Sequence, residues 1–395
     1  MSRRKRSTCT GAGISKDAGA ETPTKEKAIA GEVTKESIQK EFNAQPYKRK
    51  DLIPTGSTMY NLACSDYATG GWRKGSIVTV PGESDAGKTV LAMSALASCA
   101  ADKSLKDYII IMNNPESKGS FDLKQMFPPL VKRLQEPPGG NSQSIQQFGG
   151  SITTLCKKGQ PSFIMVLDSL DFLKGDADHE KSLKFALKAA AGNKTAIKDI
   201  QKTFGMEKAK VIKKVLGEVN DQIKDTGSVL IIVQQLIANT DKQNKYDDPY
   251  RTNGGKTPFS SSTHSSRILH GPPITKTTEN GQKLQVGHWA RISCKKNHLT
   301  GKKRDVQFPI YEEYGIDDIE SICDFLAKNY WEMSAKDIGP GTKIITCEFG
   351  DNINYYDLVD DIWNDNKMYT ELKQIVETVW QNREASLYTG RKRIF

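Results

Sequence analysis

No Cys-x-x-Cys pair and no cluster of histidines occur in the 395 residues; the seven cysteines (Cys9, Cys64, Cys99, Cys156, Cys294, Cys323 and Cys347) are scattered. That spacing speaks against a zinc site, and cysteines without a framework suit a reducing compartment. No stretch approaches the roughly 18 uninterrupted apolar residues of a membrane span, and the basic start lacks the apolar segment of a signal peptide. The expectation is a soluble, intracellular protein with no membrane partner. Large apolar groups are almost missing from residues 1–33, which are rich in Ser, Thr, Gly, Ala and Lys. Such a segment cannot repay the entropy of ordering, so a disordered N-terminal arm is expected.

Charge of one sign is concentrated. Of the formal net charge of +10, residues 1–50 supply the larger part, with 12 Lys/Arg against 6 Asp/Glu. Arg3-Arg4-Lys5-Arg6 suits phosphate contact, an address or a solvated arm. Further along, Thr34 caps a short segment in which Ile38 and Phe42 fall at i, i+4, a narrow apolar stripe of the kind that docks on a neighbour.

What is present in full is a phosphate-binding loop. The strand-like run Ile77–Val80 leads into Gly82-Glu83-Ser84-Asp85-Ala86-Gly87-Lys88-Thr89, and the helix-forming stretch Val90–Ala101 follows. Glycines let consecutive backbone N–H groups curl around an anion, and the helix dipole adds positive potential at the same spot. Lys88 would reach the β- and γ-phosphates of ATP, and the Thr89 hydroxyl would hold Mg²⁺.

From Asp51 to about Tyr330, the continuous apolar runs Ile77–Val80, Tyr108–Met112, Phe163–Leu167 and Val229–Val233 alternate with helical stretches near 89–101, 180–191 and 206–224. Such runs belong to parallel strands buried on both faces, which predicts a doubly wound α/β fold. After Gly254-Gly255, strands near 267–273, 290–295 and 304–310 read as appended hairpins. Residues 331–395 form a small α+β unit, with a strand at 343–349 and helices near 355–364 and 368–383. The division is an arm, 1–50, a core, 51–330, and a C-terminal unit, 331–395.

Asp168 closes the buried run Phe163–Leu167, as a carboxylate that holds Mg²⁺ through water does. Glu116 follows Tyr108–Met112 within Asn113-Asn114-Pro115-Glu116, at the strand edge where a base would orient water. After Val229–Val233, one of Gln234 and Gln235 is placed to sense the γ-phosphate, with Gln235 preferred. The loop 238–256 interleaves Lys242, Lys245, Tyr246, Tyr250 and Arg251 and ends in Gly254, Gly255 and Lys256. Cations that meet phosphates and rings that stack on bases suit single-stranded DNA, and Asp241, Asp247 and Asp248 weigh towards a merely solvated loop. Lys181, Lys184 and Lys188 line one helix face, either a second basic contact or a wet surface.

Together these residues resemble the RecA-type recombinases, and most nearly the UvsX-like recombinases of tailed phages. The likeness rests on Ile53-Pro54-Thr55-Gly56-Ser57, Asn61-Leu62-Ala63, Gly70–Gly75, the Gly82–Thr89 loop, Asp168-Ser169, Gln235, Gly254-Gly255 and Lys296-Asn297, in the family's order. It implies a RecA-like P-loop ATPase core in which Lys88 and Thr89, with flanking Val90, bind nucleotide. It further implies that Asp168 supports the metal, Glu116 is the general base and Gln235 couples the γ-phosphate to a DNA-binding loop. Cations at Lys296 and His298 would reach a neighbour's nucleotide. Here the second is a histidine rather than a permanently charged side chain, with Lys302 or Lys303 nearby as a substitute. Asn114 departs from the family's Asp two residues before the catalytic Glu, and Phe121 is the nearest aromatic for adenine.

The implied activity is ATP-dependent filament formation on single-stranded DNA, with pairing and strand exchange against homologous duplex in phage recombination, repair and replication. The setting would be the cytoplasm of an infected bacterial host, with single-strand-binding and loader proteins as further partners. A RecA-fold hexameric helicase is the rival, although nothing before Asp51 suits an extra folded domain. A DNA-coating regulatory protein with impaired turnover is the third reading.

Overall fold

The computed structural model describes residues 47–116, 121–175, 194–239, 248–252, 255–333 and 343–387. The stripe at Ile38 and Phe42, and the lysines 181, 184 and 188, lie outside them.

Helix α1 (Thr58–Ser65) is capped by Ser57, whose hydroxyl accepts from the Tyr60 N–H. Strand β1 (Ser76–Gly82) is buried at every position and runs into the loop that ends at α2 (Lys88–Ala101). Strand β2 (Ile109–Asn113), helix α3 (Ile145–Leu155) and strand β3 (Phe163–Leu167) follow. A 33-residue helix, α4 (Lys194–Thr226), then leads to β4 (Val229–Ala238). The sequence expectation for this helix began near 206; it starts twelve residues earlier.

β4 carries the short strand β5 (Tyr250–Thr252) antiparallel on its C-terminal end, Ile237 opposite Arg251. Then come β6 (His264–Thr277), β7 (Lys283–Asn297) and β8 (Asp305–Tyr311). They belong to one ten-stranded sheet in the order β8-β7-β6-β1-β4-β3-β2, flanked by the short strands Gly315–Ile316 and Leu134–Gln135. The centre β6-β1-β4-β3-β2 is parallel, and β6, β7 and β8 continue it as antiparallel hairpins.

Period-two alternation explains why these runs needed to be apolar throughout. On β3, Ile164 and Val166 point into one cluster with Leu91, Leu96 and α1, while Phe163, Met165 and Leu167 point into the other with α3 and α4. The α4 face is Ile212, Val215, Leu216, Val219 and Ile223, the spacing of an amphipathic helix. The sheet is covered on both sides, as a doubly wound core requires.

Helix α5 (Asp318–Asn329), the hairpin β9 (Ile344–Cys347) and β10 (Gly350–Asn354), and helices α6 (Tyr355–Asn364) and α7 (Asn366–Ser386) complete the described chain. Their Ile322, Leu326, Leu358, Leu372, Val376 and Trp380 join the cluster that contains α1 and α2. A polar clasp sits beside it. The Trp380 indole donates to Asp66 at 3.0 Å, Lys302 lies 2.7 Å from Asp66 and 3.1 Å from Glu384, and Arg304 grips both Glu384 oxygens at 2.7 Å.

Candidate nucleotide site

The loop between β1 and α2 closes tightly at its two motif glycines. A Cβ on Gly82 would meet Ile268 and the Lys88 side chain, and one on Gly87, whose φ is +86°, would meet Ile310. The left-handed backbone at Gly87 starts α2 at Lys88, and the first residues of the helix line an open cavity of about 670 Å³. That cavity is lined by Ser84, Asp85, Gly87, Lys88, Thr89, Val90, Glu116, Asp168 and Gln235. Residues spread over more than 150 positions of sequence thus surround one space.

The Thr89 hydroxyl donates to Asp168 Oδ2 at 2.6 Å, and the Lys88 ammonium donates to the Glu83 carbonyl at 2.5 Å. Burial pushes Asp168 up and Lys88 down from their ordinary pKa values; the Thr89 hydrogen bond and Lys88 pull Asp168 back, and Asp168 and Asp85 pull Lys88 back. Thr89 Oγ1 and Asp168 Oδ2 are hard oxygen donors side by side beneath the phosphate loop, a donor set that fits Mg²⁺.

The two glutamines part company. Gln234 is buried and its amide nitrogen has no hydrogen-bond partner, whereas Gln235 reaches the phosphate loop, donating from Nε2 to Ser84 Oγ at 2.8 Å. The Gln235 backbone N–H donates to Asp171 Oδ2 at 2.6 Å, and Lys208 donates to the Asp171 carbonyl at 2.9 Å. Asp171, which the sequence does not single out, thus holds the Gln235 backbone beside the cavity. Burial raises its carboxyl, the Gln235 N–H and Lys208 oppose that, and its Oδ1 is buried without a hydrogen-bond partner.

Glu116 lines the cavity at the end of the segment that follows β2. That segment is fixed from below, because Asn113 exchanges hydrogen bonds with Ser142 and the Asn114 N–H donates to Asn141. Phe121 also lines the cavity and stands edge-on to Phe127 at 5.7 Å. His288, Ile310, Tyr311 and Glu312 also line the cavity, and no sequence motif marks them. His288 stacks on His270 at 4.3 Å; burial lowers its pKa, and His270 adds to that.

The loop 238–256 is not structureless along its described length, since the β4–β5 pairing makes its base a two-stranded stem. Tyr250 and Arg251 lie on that stem, Gly255 has a φ of +68°, and Lys256 precedes the helical turn Thr257–Ser261. Lys242, Lys245, Tyr246 and Gly254 lie outside the described residues. The stem touches the phosphate loop, for the Tyr250 hydroxyl donates to Glu83 Oε1 at 2.7 Å, and Glu83 Oε2 accepts from the His270 N–H at 3.1 Å.

Lys296 and His298 are not in this cavity. Lys296 pairs with Ser265, and Ser265 with Thr79, three residues upstream of Gly82, so both residues are set back from the end of β1 where the phosphate loop begins. Lys296 donates to the carbonyls of Phe259 and Ser260, and His298 lines a separate cleft with Trp72 and Leu299. Lys302, the suggested substitute cation, is instead committed to Asp66 and Glu384. Burial would lower its ammonium, but the two carboxylates outweigh burial and hold it above its ordinary value.

No family model matches the chain. Curated proteins named Protein RecA do. That of Roseiflexus castenholzii is 23% identical over 315 residues, covering 77% of this chain and 78% of the relative. The Thermus thermophilus protein is 22% identical over 302 residues, 75% of this chain and 77% of the relative, and that of Mesoplasma florum is 22% identical over 277 residues, 69% and 72%. The similarity supports the RecA-type family. The doubly wound sheet with its phosphate loop at the end of β1 is accordingly a RecA-like core. Among the described residues, no helix is long and apolar enough to cross a membrane.

Proposed function

We propose that this chain is a DNA-dependent ATPase of the RecA type that assembles as a filament on single-stranded DNA and promotes pairing and strand exchange with homologous duplex. Within that family we place it with the UvsX-like recombinases of tailed phages, acting on DNA in the cytoplasm of an infected host. The observation that carries this reading is the chain of contacts from Asp168 through Thr89 to the phosphate loop, and from Ser84 and Glu83 to Gln235 and Tyr250 on the stem of the candidate DNA loop. It joins the place where ATP would bind to the place where DNA would bind.

In this scheme Lys88 leaves the Glu83 carbonyl and neutralises the transferring phosphoryl group. Thr89 and Asp168 would hold Mg²⁺, which would supply further neutralisation of the phosphates when bound. Glu116 accepts the proton of the attacking water. Gln235 exchanges Ser84 for the γ-phosphate, and because it continues β4, its movement is passed to β5 and the loop. Lys296 and His298, turned away from their own nucleotide cavity, serve the neighbour's. The arm 1–50 docks through Ile38 and Phe42 on the adjacent protomer of the core 51–330, with 331–395 as a docked C-terminal unit. A heterologous, non-closing contact of that kind generates a filament. Single-strand-binding and loader proteins are further proposed partners.

The direct test is ATP turnover with and without single-stranded DNA. The protein should hydrolyse ATP faster on DNA, and Lys88→Ala should lose nearly all turnover, since electrostatic stabilisation of this type is worth about 3–4 kcal/mol. Unchanged turnover in a folded Lys88→Ala protein would overturn the site.

A further inference from the structure

Behind the sheet, three side chains that are remote in sequence converge. Cys64 comes from α1, His264 opens β6 and Cys294 lies on β7; all three are buried, and their ligand atoms lie within 4.8 Å of one another. His264 Nε2 is 3.2 Å from Cys64 Sγ and 3.8 Å from Cys294 Sγ. With zinc–sulfur and zinc–nitrogen bonds of about 2.3 and 2.0 Å at tetrahedral angles, the expected sulfur-to-nitrogen separation is roughly 3.5 Å, between the two observed values.

We propose that Cys64, His264 and Cys294 bind one zinc ion that pins α1 to the β6–β7 hairpin. The sequence spacing spoke against zinc because no two of these residues are close along the chain; the fold supplies the proximity that the spacing lacks. The Ser266 hydroxyl lies 3.0 Å from His264 Nε2 and 3.5 Å from Cys294 Sγ, which puts an oxygen next to two of the three ligand atoms. Beside Ser266 is Tyr60, whose phenol is buried without a hydrogen bond of ordinary geometry.

Two thiolates and a neutral imidazole around a divalent cation leave no net charge, which lets a site this deep avoid an uncompensated buried ion. Binding converts each thiol to a thiolate, and both protons leave to solvent. The backbone is arranged for it, because Asn297 at the end of β7 donates to the Cys64 carbonyl at 2.9 Å and draws α1 towards the hairpin. His264 also lines the cleft of about 530 Å³ that holds His298, which offers a way in.

The test is the metal content of the full-length protein, with cobalt as a spectroscopic probe. Purified chain grown with zinc should carry about one equivalent, and cobalt-loaded protein should show thiolate-to-cobalt charge-transfer absorption, which the oxygen donors Thr89 and Asp168 cannot produce. Cys64→Ala and Cys294→Ala should each lose the zinc and the band, whereas Cys347→Ala, a half-buried cysteine of the C-terminal hairpin, should keep both. Should the buried variants not fold, the unmodified protein decides. Zinc-free chain that takes up no zinc and gives no thiolate band with cobalt overturns the proposal, as does a mass two hydrogens short that marks a Cys64–Cys294 disulfide.

Discussion

The Tyr250 hydroxyl donates to Glu83 Oε1 at 2.7 Å, tying the stem of the candidate DNA loop to the phosphate loop one residue before Ser84, which accepts from Gln235. Glu83 raises the Tyr250 phenol's pKa by accepting this bond. A hydrogen bond to a charged group is worth about 1.5–3 kcal/mol, so it can carry a tenfold coupling between the two sites. Tyr250→Phe should leave ATP affinity nearly unchanged but reduce the gain in DNA affinity on adding ATP by about tenfold or more. Titrations of labelled single strand with and without a non-hydrolysed ATP analogue read this out. An unaltered gain would mean that the contact does not transmit.

DNA affinity itself should fall steeply with salt, with a slope of about −0.7 per phosphate neutralised on single strands. Replacing Lys242, Lys245 and Arg251 together by Ala should flatten the slope by up to about 2. An identical slope would move the DNA contact elsewhere, to Lys181, Lys184 and Lys188 first.

The clasp on α7 makes a stability prediction. Glu384 is 1% exposed, and Lys302 and Arg304 are 16% and 28% exposed. Removing one partner of a buried pair costs about 3–5 kcal/mol, and the partly wet Arg304 argues for the lower end. Glu384→Ala should therefore lower stability by about 3 kcal/mol in denaturant titrations. Burial would raise the Glu384 pKa, but Arg304 and Lys302 outweigh it and hold it below the usual value. A depressed carboxyl contributes stability that is fully present above its unfolded pKa of about 4.3 and is lost as pH falls through its folded value. Glu384→Gln should lose that part of the acid dependence; the same acid limb in both proteins would contradict the assignment.

The phosphate loop was legible because its signal is local: Gly82, Gly87, Lys88 and Thr89 act within eight residues, and the strand and helix on either side are contiguous with them. Asp168 and the parallel centre were legible for a related reason, since a strand buried on both faces must be apolar throughout. Asp171 and His288 were not, because their place beside the phosphate loop comes from the 3₁₀ turn after β3 and from a hairpin that extends the sheet. Lys302 reads as a spare cation in the sequence because its partners, Asp66 and Glu384, are 236 and 82 positions away and meet it only in the fold, Asp66 from the end of α1 and Glu384 from α7. The Cys64, His264 and Cys294 cluster was hidden in the same way.

The most direct test of the account is electron microscopy of the protein with ATP, Mg²⁺ and single-stranded DNA, beside Glu116→Gln under the same conditions. The wild type should form helical filaments that disappear as ATP is consumed, and Glu116→Gln, which keeps the shape of the site but lacks the base, should form filaments that persist. Closed rings on DNA, or wild-type and Glu116→Gln assemblies that decay at the same rate, would contradict it.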